Sequence, residues 1–311
     1  MLLAGVRAGR PRAVGRLISL VEDGSPALPQ IMAALAPDTG RAFVLGLTGP
    51  PGAGKSTTVA ALVRVLRARG ERVGVLAVDP TSPFTGGALL GDRVRMQEHA
   101  LDGEVLMRSM ATRGHLGGLA VAAPQALRVF AAAGCSTVVV ETVGVGQSEV
   151  DVAATADATL VLLAPGMGDG VQAAKAGILE IGDLFVVNKA DRDGAQPLVR
   201  ELRGMVALAD RPAGAWRPPV LTTVASEGTG VAELLAAVDR FREHQRDSGQ
   251  DEQRRLERAR REVEGLALAT VRRRLRERQS ANLDALGRAL QNGQLDPYAA
   301  AAELLRRLGA D

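Results

Sequence analysis

The sequence contains one cysteine, few aromatic residues and no long apolar run, and each shortage excludes a class of protein. With Cys135 alone among 311 residues, an intrachain disulfide and a cysteine-pair metal site are excluded, which fits a reducing cytoplasm. Aromatic residues make up 2% of the chain, too few for a platform on which nucleic-acid bases would stack. No apolar run approaches the ~20 residues of a membrane span. We therefore predict a cytoplasmic protein that binds neither nucleic acid nor membranes.

Lysine is scarce as well, which makes the few lysines informative. Only three of the 38 basic residues are lysines, Lys55, Lys175 and Lys189. The planar fork of arginine cannot replace a compact ammonium group at every site, so the remaining lysines are expected to mark such sites. The formal net charge is only +3, and 46% of the residues are hydrophobic, a globular composition.

The start of the chain, Met1–Leu20, has four arginines and no acid. It lacks the apolar core of a secretory signal. Such a start is typical of a basic amphipathic helix or of an organellar transit peptide, and we favour the helix.

Short apolar runs alternate with helical patterns through the middle of the chain. This alternation predicts an α/β fold with a mostly parallel sheet and helices on both faces. Strands are predicted near Ala42–Thr48, Arg72–Asp79, Glu104–Met110, Thr137–Val143, Ala158–Ala164, Leu184–Asn188 and Val220–Ala225. Helices are predicted at Lys55–Arg69, Gly118–Ala132 and Ala195–Leu208.

The segment from Gly49 to Ser56 reads G-P-P-G-A-G-K-S and matches the phosphate-loop pattern G-x-x-x-x-G-K-[ST]. It follows an apolar run and opens a helical pattern, as the motif requires, and predicts a P-loop NTPase. Lys55 is expected to contact the β and γ oxygens as a catalytic residue, and the Ser56 hydroxyl to bind Mg²⁺. Nucleotide binding is assigned to Gly52, Ala53, Gly54, Lys55, Ser56 and Thr57.

A second motif, Asn188-Lys189-Ala190-Asp191, ends another apolar run. In GTPases this tetrad reads the base, because the carboxylate of the Asp accepts hydrogen bonds from guanine N1–H and the 2-amino group. Adenine offers no such pair of donors. The loop that begins at Ala225 follows the last predicted strand, where a backbone N–H usually contacts guanine O6. The motifs together predict binding of GTP and GDP.

The segment Glu141-Thr-Val-Gly144 lies between these two motifs. It fits the pattern in which an acid holds Mg²⁺ and a glycine N–H meets the γ-phosphate. Most GTPases have Asp at this position. Glu141 departs from that pattern and so reduces the number of GTPase families to which the chain could belong. The next polar residue, Gln147, is expected either to orient the attacking water or to cap the following helix.

Two more carboxylates and one lysine are candidates for nucleotide sensing. Asp79 ends the second predicted strand and is a candidate Mg²⁺ ligand. Asp92 follows a loop rich in Gly and Pro, and either belongs to a switch segment or caps a helix. No nucleotide motif explains Lys175, which either marks a further nucleotide-sensitive loop or is a surface residue. Candidates for an arginine finger are Arg93, Arg95, Arg108 and Arg113.

The composition changes beyond His244 to an arginine-rich helical pattern with a regularly spaced apolar stripe. We predict an N-terminal helical extension at residues 1–40, a GTPase domain at 41–244 and a helical C-terminal arm at 245–311. The apolar stripe of the arm needs a partner surface, which either its own GTPase domain or a second copy of the chain would supply.

Taken together, the motifs resemble the MeaB/ArgK family of P-loop GTPases over nearly the whole chain. The resemblance is carried by Gly46–Ser56, the run from Val78 to Met96, the run from Glu141 to Glu149, and Asn188–Asp191. The long run that includes Asp79 and Asp92 is much more specific than the phosphate loop.

The resemblance implies a chaperone of an adenosylcobalamin-dependent acyl-CoA mutase, typically methylmalonyl-CoA mutase. GTP hydrolysis would gate cofactor loading and ejection of damaged cobalamin, with cobalamin bound only by the partner enzyme. It also implies a homodimer held partly by the helical arm. By position, Ser56, Asp79 and Glu141 would form the metal site, Asp92 and Gln147 would belong to switches, and Lys175 would fall in an additional switch loop.

One residue departs from the usual guanine loop: Val224 stands where a Ser usually precedes Ala225. The lost hydroxyl is expected to loosen the loop while the backbone contact of Ala225 is kept, so guanine preference is expected to survive in weakened form.

Three other functions compete with this interpretation. A nickel-insertion GTPase of the hydrogenase or urease maturation type would need His-rich tails or Cys pairs, and the chain has one Cys and three scattered His. A protein kinase of a transport system would need a protein-substrate site, for which no motif is present. A non-catalytic GTP-binding scaffold would lack multiple turnover.

Overall fold

The computed structural model describes residues 1–38, 42–79, 97–99, 101–111, 118–142, 154–167, 181–212, 214–278 and 280–309. Within these residues the chain folds around one seven-stranded sheet in the order β3-β2-β4-β1-β5-β6-β7, and every pairing is parallel. The strands are β1 (Phe43–Thr48), β2 (Val73–Asp79), β3 (Val105–Ala111), β4 (Thr137–Thr142), β5 (Ala158–Leu163), β6 (Leu184–Asn188) and β7 (Val220–Thr223). The predicted α/β class is confirmed.

Ten helices accompany the strands in the part of the chain that is described. They are α1 (Leu2–Arg7), α2 (Pro11–Glu22), α3 (Leu28–Leu35), α4 (Lys55–Ala68), α5 (Gly118–Ala132), α6 (Ala195–Leu208), α7 (Val231–Asp247), α8 (Gln250–Arg278), α9 (Ser280–Gln291) and α10 (Pro297–Gly309). None of these described helices is long and apolar enough to cross a membrane.

Both faces of the sheet are covered, which explains why the strands read as continuous apolar runs instead of alternating ones. Every residue of β1, β4 and β5 is buried. Helices α4 and α7 contribute to an apolar cluster on one face, and α1, α2, α3 and α5 to another, while α6 packs over β6 and β7. The central strands are therefore buried on both faces, and the phosphate loop starts directly after one of them, β1.

The strand register brings distant motifs to one edge of the sheet. Glu141 of β4 pairs with Leu47 of β1, two residues before the phosphate loop. On the other side of β1, Thr48 pairs with Val161 of β5, and the adjoining β6 ends at Asn188. We call this side of the sheet, where the strands end, the carboxyl edge, and the side where they begin the amino edge.

The chain divides into two compact units, Met1–Arg258 and Ala259–Asp311. In the second unit α9 packs against α10, and Arg307 joins them by donating to Asn282 Oδ1 at 3.1 Å. Glu303 accepts hydrogen bonds from Arg306 and Arg307, which lower the pKa of its carboxyl to about 2. The three-part division at residues 40 and 244 stays a prediction.

Candidate functional site

The phosphate loop joins the end of β1 to the start of α4, as its motif requires. Gly49, Gly52 and Gly54 all have positive φ, at 138°, 82° and 93°. At Gly54 a side chain is excluded twice, since its backbone is left-handed and a Cβ would collide with the amide of Asn188. The glycines therefore allow a path that other residues would strain, and that path brings the phosphate loop into contact with the base motif.

Lys55 is the first residue of α4, and its ammonium group reaches back over the phosphate loop. Its Nζ donates to Gly49 O at 2.6 Å and to Pro50 O at 3.1 Å, and the residue is 7% exposed. The loop thus holds a buried cation close to its own backbone. A phosphate that enters the loop would meet this ammonium at short range in a medium of low dielectric constant.

Ser56 and Glu141 meet beside Lys55. Ser56 Oγ donates to Glu141 Oε1 at 2.5 Å, and Glu141 is 4% exposed. The contact places a hydroxyl and a carboxylate, both hard oxygen donors, next to the phosphate loop. That donor pair fits Mg²⁺, which takes few protein ligands and completes its octahedron with phosphate oxygens and water. Asp79, the third predicted ligand, ends β2 next to β4, and its side chain lies outside the described part of the structure.

Asn188 braces the base end of the site. Its Nδ2 donates to Ala53 O at 2.9 Å, and its Oδ1 accepts from Thr223 Oγ1 and from Ala225 N, both at 3.1 Å. The asparagine therefore connects the phosphate loop, β6 and the loop after β7, and at 3% exposure it is shielded from water. A buried amide satisfied at both ends fixes the positions of the groups around it.

Lys189 also connects the base motif to the phosphate loop. Its Nζ donates to Gly52 O at 2.7 Å, and it is the only non-glycine residue with positive φ (57°) in the part of the chain described here. A non-glycine residue in this conformation costs free energy that the neighbouring contacts must offset. Asp191, two residues later, is exposed, so its carboxylate is accessible to a base.

The loop after β7 is closed mainly by backbone hydrogen bonds. Val224 N donates to Thr229 O at 3.0 Å, and Glu227 N donates back to Val224 O at 3.0 Å. Val224 thus takes part in two backbone hydrogen bonds of the loop, and the expected loosening by the absent serine hydroxyl stays a prediction. Ala225 is buried, and its N–H donates to Asn188, so its predicted contact with guanine O6 stays a prediction.

Thr223 belongs to no sequence motif, although it contacts the base motif. Its hydroxyl is one of the two donors to Asn188 Oδ1, and the side chain is 1% exposed. A threonine in a strand is unremarkable by itself, and the signal that would have singled it out is its place just before the guanine loop. Thr57, assigned to nucleotide binding, lies exposed in the first turn of α4.

Several predicted residues fall outside the described residues, namely Asp92, Gly144, Gln147 and Lys175. The same holds for Arg93, Arg95 and Arg113 among the arginine-finger candidates. Arg108 is described, and it donates to Ser19 Oγ at 2.9 Å and pairs with Glu22 at 3.1 Å. Cys135 is buried, which raises the pKa of its thiol to about 12, so it is not a nucleophile near neutral pH.

A parallel sheet with a phosphate loop after β1, a hydrogen-bonded Ser–Glu pair beside it and an Asn-Lys-x-Asp motif that starts at the last residue of β6 defines a P-loop GTPase. A family model described as methylmalonyl-CoA mutase-associated GTPase MeaB matches residues 14–280, and the chain belongs to this family.

Relatives and solved structures agree with that placement. A putative GTPase of Pyrococcus abyssi is 44% identical over 99% of this chain and 96% of its own length. A mouse protein named methylmalonic aciduria type A homolog, mitochondrial, is 40% identical over 67% of this chain and 51% of its own length. A crystal structure titled LAO/AO transport system kinase superposes with a TM-score of 0.71 at 28% identity, covering 99% of this chain and 96% of the other.

Proposed function

We propose that this chain is a GTP-hydrolysing chaperone of an adenosylcobalamin-dependent acyl-CoA mutase, with methylmalonyl-CoA mutase as the expected partner. It gates cofactor loading and protects or reactivates the mutase, and cobalamin binds only to the partner. The observation that carries the proposal is the match of residues 14–280 to a family described as mutase-associated GTPases. The name of the mouse relative refers to methylmalonic aciduria, which supports a mutase that acts on methylmalonyl-CoA as the partner.

The contacts of Lys55, Ser56 and Asn188 support the first of the roles that hydrolysis needs, and the remaining roles come from the sequence motifs. Lys55 neutralises charge on the β and γ oxygens, and Ser56, Glu141 and Asp79 would hold Mg²⁺, which would supply further positive charge beside the phosphates. Asn188, Lys189, Asp191 and Ala225 select guanine, while Gly144, together with the loop residues Gly52, Ala53, Gly54 and Thr57, binds the phosphates. Asp92, Gln147 and Lys175 sense the γ-phosphate and the partner.

Hydrolysis by the free protein is expected to be slow. Phosphoryl transfer needs little from a protein beyond position and charge, and the positioning of the switch residues is what a partner supplies. By linkage, a mutase that favours the GTP-bound form must bind more tightly when GTP is present, by the same factor. The effect of GTP on mutase affinity and the effect of mutase on GTP affinity therefore measure the same coupling free energy.

The homodimer part of the proposal is supported by the second compact unit. Its described residues include a single buried hydrophobic side chain, Leu286, whereas Val263, Leu283 and Tyr298 are exposed by 67%, 51% and 88%. Helices that bury so little are seldom stable alone, and a second copy of the unit would cover these side chains. Light scattering coupled to gel filtration tests this directly, and a monomer at micromolar concentration would contradict it.

The deciding experiment is steady-state GTP hydrolysis with and without purified methylmalonyl-CoA mutase, with ATP in place of GTP as control. We expect slow turnover of GTP that rises several-fold with mutase and disappears in Lys55→Ala. Unchanged turnover at saturating mutase would refute that partner and leave the GTPase intact. Transfer of labelled phosphate from GTP to a protein, without release of inorganic phosphate, would instead favour a kinase.

A further inference from the structure

The amino edge of the sheet carries a second cluster of charged residues, far from the phosphate loop in the fold. Two arginines of α8, Arg254 and Arg258, lie one helical turn apart and reach two aspartates, Asp183 and Asp157. Arg254 Nη2 donates to Asp183 Oδ1 at 2.9 Å, and Arg258 forms an ion pair with Asp157 Oδ1. All four residues belong to the first compact unit. We call them the arginine clamp.

Both aspartates are built into the sheet. Asp157 directly precedes β5, and its Oδ2 accepts from Val44 N at 2.7 Å, so it joins the start of β5 to the start of β1. Asp183 directly precedes β6, and its Oδ2 accepts from Thr159 N at 2.9 Å. Side chains this well buried, at 9% and 13% exposed, are held by several bonds and leave little freedom for the arginines they bind.

The two aspartates mark the points at which two connections between strands return to the sheet. Because the strands are parallel, each connection leaves at the carboxyl edge and returns at the amino edge. The connection that contains Gly144 and Gln147 returns at Asp157, and the one that contains Lys175 returns at Asp183. Arg258 also donates to Thr155 O at 3.1 Å, and Arg254 donates to Asp157 O at 3.3 Å. One helical turn thus holds the return points of both connections.

We propose that Arg254 and Arg258 are positioning residues for GTP hydrolysis, which tie the ends of two nucleotide-sensing connections to a single helix. A change of nucleotide that rearranges either connection is then felt by the other through α8. The clamp touches no reacting atom and acts through the connections it fixes. This inference rests on the proposed sensing roles of Gln147 and Lys175, and it does not depend on which mutase is the partner.

The fluorescence of a tryptophan beside the clamp can report on this coupling. Trp216 is the only tryptophan, and its Nε1 donates to Asp183 O at 2.8 Å. Its ring centroid lies 5.0 Å from that of Phe241, over which the Arg254 guanidinium stacks at 5.3 Å. Trp216 emission therefore reports on the clamp, at the edge of the sheet opposite the phosphate loop.

The experiment compares Arg258→Gln with Arg255→Gln, using the full chain without mutase. Arg255 is a matched control because it lies on the same helix, is exposed and forms an ion pair with Asp251, one turn earlier on that helix. We expect Arg258→Gln to lower kcat at saturating GTP by at least about fivefold, the lower end of typical coupling, with little change in KM. The difference in Trp216 emission between GDP and a non-hydrolysable GTP analogue should shrink in the same variant. Arg255→Gln should leave both quantities unchanged.

Two further measurements separate positioning from loss of structure. Titration with GDP gives the fraction of folded sites, and a fall in kcat matched by an equal fall in that fraction would overturn the proposal. So would a kcat and an emission difference in Arg258→Gln equal to those of Arg255→Gln. Arg258→Lys keeps the charge beside Asp157 but cannot also donate in a fork to Thr155 O, so an intermediate kcat is expected from it. Because mutase is absent, failure here leaves the chaperone proposal standing.

Discussion

The two edges of the same sheet hold their charged side chains in different ways. At the carboxyl edge, Lys55 and Lys189 donate to backbone carbonyls of the phosphate loop. At the amino edge, Arg254 and Arg258 are paired with buried carboxylates. A cation hydrogen-bonded to neutral carbonyls can turn toward an incoming phosphate at small cost, whereas one held by a buried carboxylate cannot. The cations of the carboxyl edge are therefore available to a ligand, whereas those of the amino edge stay in their ion pairs.

The largest expected effect is at the carboxyl edge, in Lys55→Ala. Loss of a buried cation that meets developing charge on the phosphates is expected to lower kcat/KM for GTP by about 10²–10³. Lys55→Arg should not rescue activity, because the wide guanidinium does not fit where the ammonium contacts Gly49 and Pro50. Initial rates of phosphate release measure both variants. Activity in Lys55→Ala within tenfold of the unmodified protein would contradict the role given to Lys55.

Glu141→Gln tests the donor pair at the same edge. The amide keeps the shape of the side chain and loses the charge, so the Mg²⁺ concentration for half-maximal activity is expected to rise by about 10–100-fold. Glu243→Gln, on the exposed surface of α7, is the control and should not shift it. Mg²⁺ titrations of the hydrolysis rate decide the point, and overlapping curves for the two variants would remove Glu141 from the metal site.

Arg254→Met tests the permanence of the amino edge. It leaves the Asp183 carboxylate buried without its cation and is expected to reduce the free energy of unfolding by about 2 kcal/mol. This is less than the ~3–5 kcal/mol of a fully buried pair, because the Arg254 side chain is 38% exposed. Denaturant melts measure the loss, and Arg255→Met should cost much less. Equal losses in the two variants would mean that the ion pair stabilises nothing.

The same variant should show a characteristic dependence on pH. Burial raises the pKa of the Asp183 carboxyl above its ordinary value, and the hydrogen bond and charge of Arg254 oppose that rise. Without Arg254 the folded-state pKa rises further, and an acid with a raised folded pKa destabilises the fold only while it is ionised. The deficit of Arg254→Met relative to Arg255→Met is therefore largest near neutral pH and shrinks as pH falls through the raised pKa.

Thr223→Val is expected to have the smallest effect of the set. It removes one donor to Asn188 Oδ1 while Ala225 N remains, so the loss is that of a single hydrogen bond, ~0.5–1.5 kcal/mol. GDP affinity is expected to fall by about 3–10-fold, and the preference for guanine over adenine nucleotides with it. Thr222→Val is the matched control, since its side chain is exposed on the same strand. Calorimetric titration with GDP and ADP compares the two.

Sequence patterns predicted the sheet closely and the site in part. The helices at Gly118–Ala132 and Ala195–Leu208 were predicted at their observed bounds, because their apolar residues repeat at helical spacing between clear loop residues. Lys55, Ser56, Asn188 and Lys189 were identifiable because each belongs to a contiguous motif. The family resemblance assigned Ser56 and Glu141 to one metal site, which stays a prediction, and in the structure Ser56 Oγ lies 2.5 Å from Glu141 Oε1 near the end of β4.

The rest could not be predicted because it depends on contacts between residues far apart along the chain. Arg254 and Asp183 are 71 residues apart, and Arg254 is one arginine among many in an arginine-rich helix. Thr223 and Asn188 are 35 residues apart, and the sequence around each of them does not indicate that the other is its partner. The strand order, which sets β6 beside β7, brings Thr223 to Asn188, and the placement of the first turns of α8 at the amino edge brings Arg254 to Asp183.

The central claim, that the carboxyl edge binds and hydrolyses a guanine nucleotide, is tested most directly by competition. Release of phosphate from GTP by the purified protein is measured with Mg²⁺ as ATP is raised to a large excess over GTP. The account predicts that the rate stays constant and that ATP alone is not hydrolysed, because adenine offers Asp191 no pair of donors. Hydrolysis of ATP at the rate of GTP, or inhibition by equimolar ATP, would contradict it.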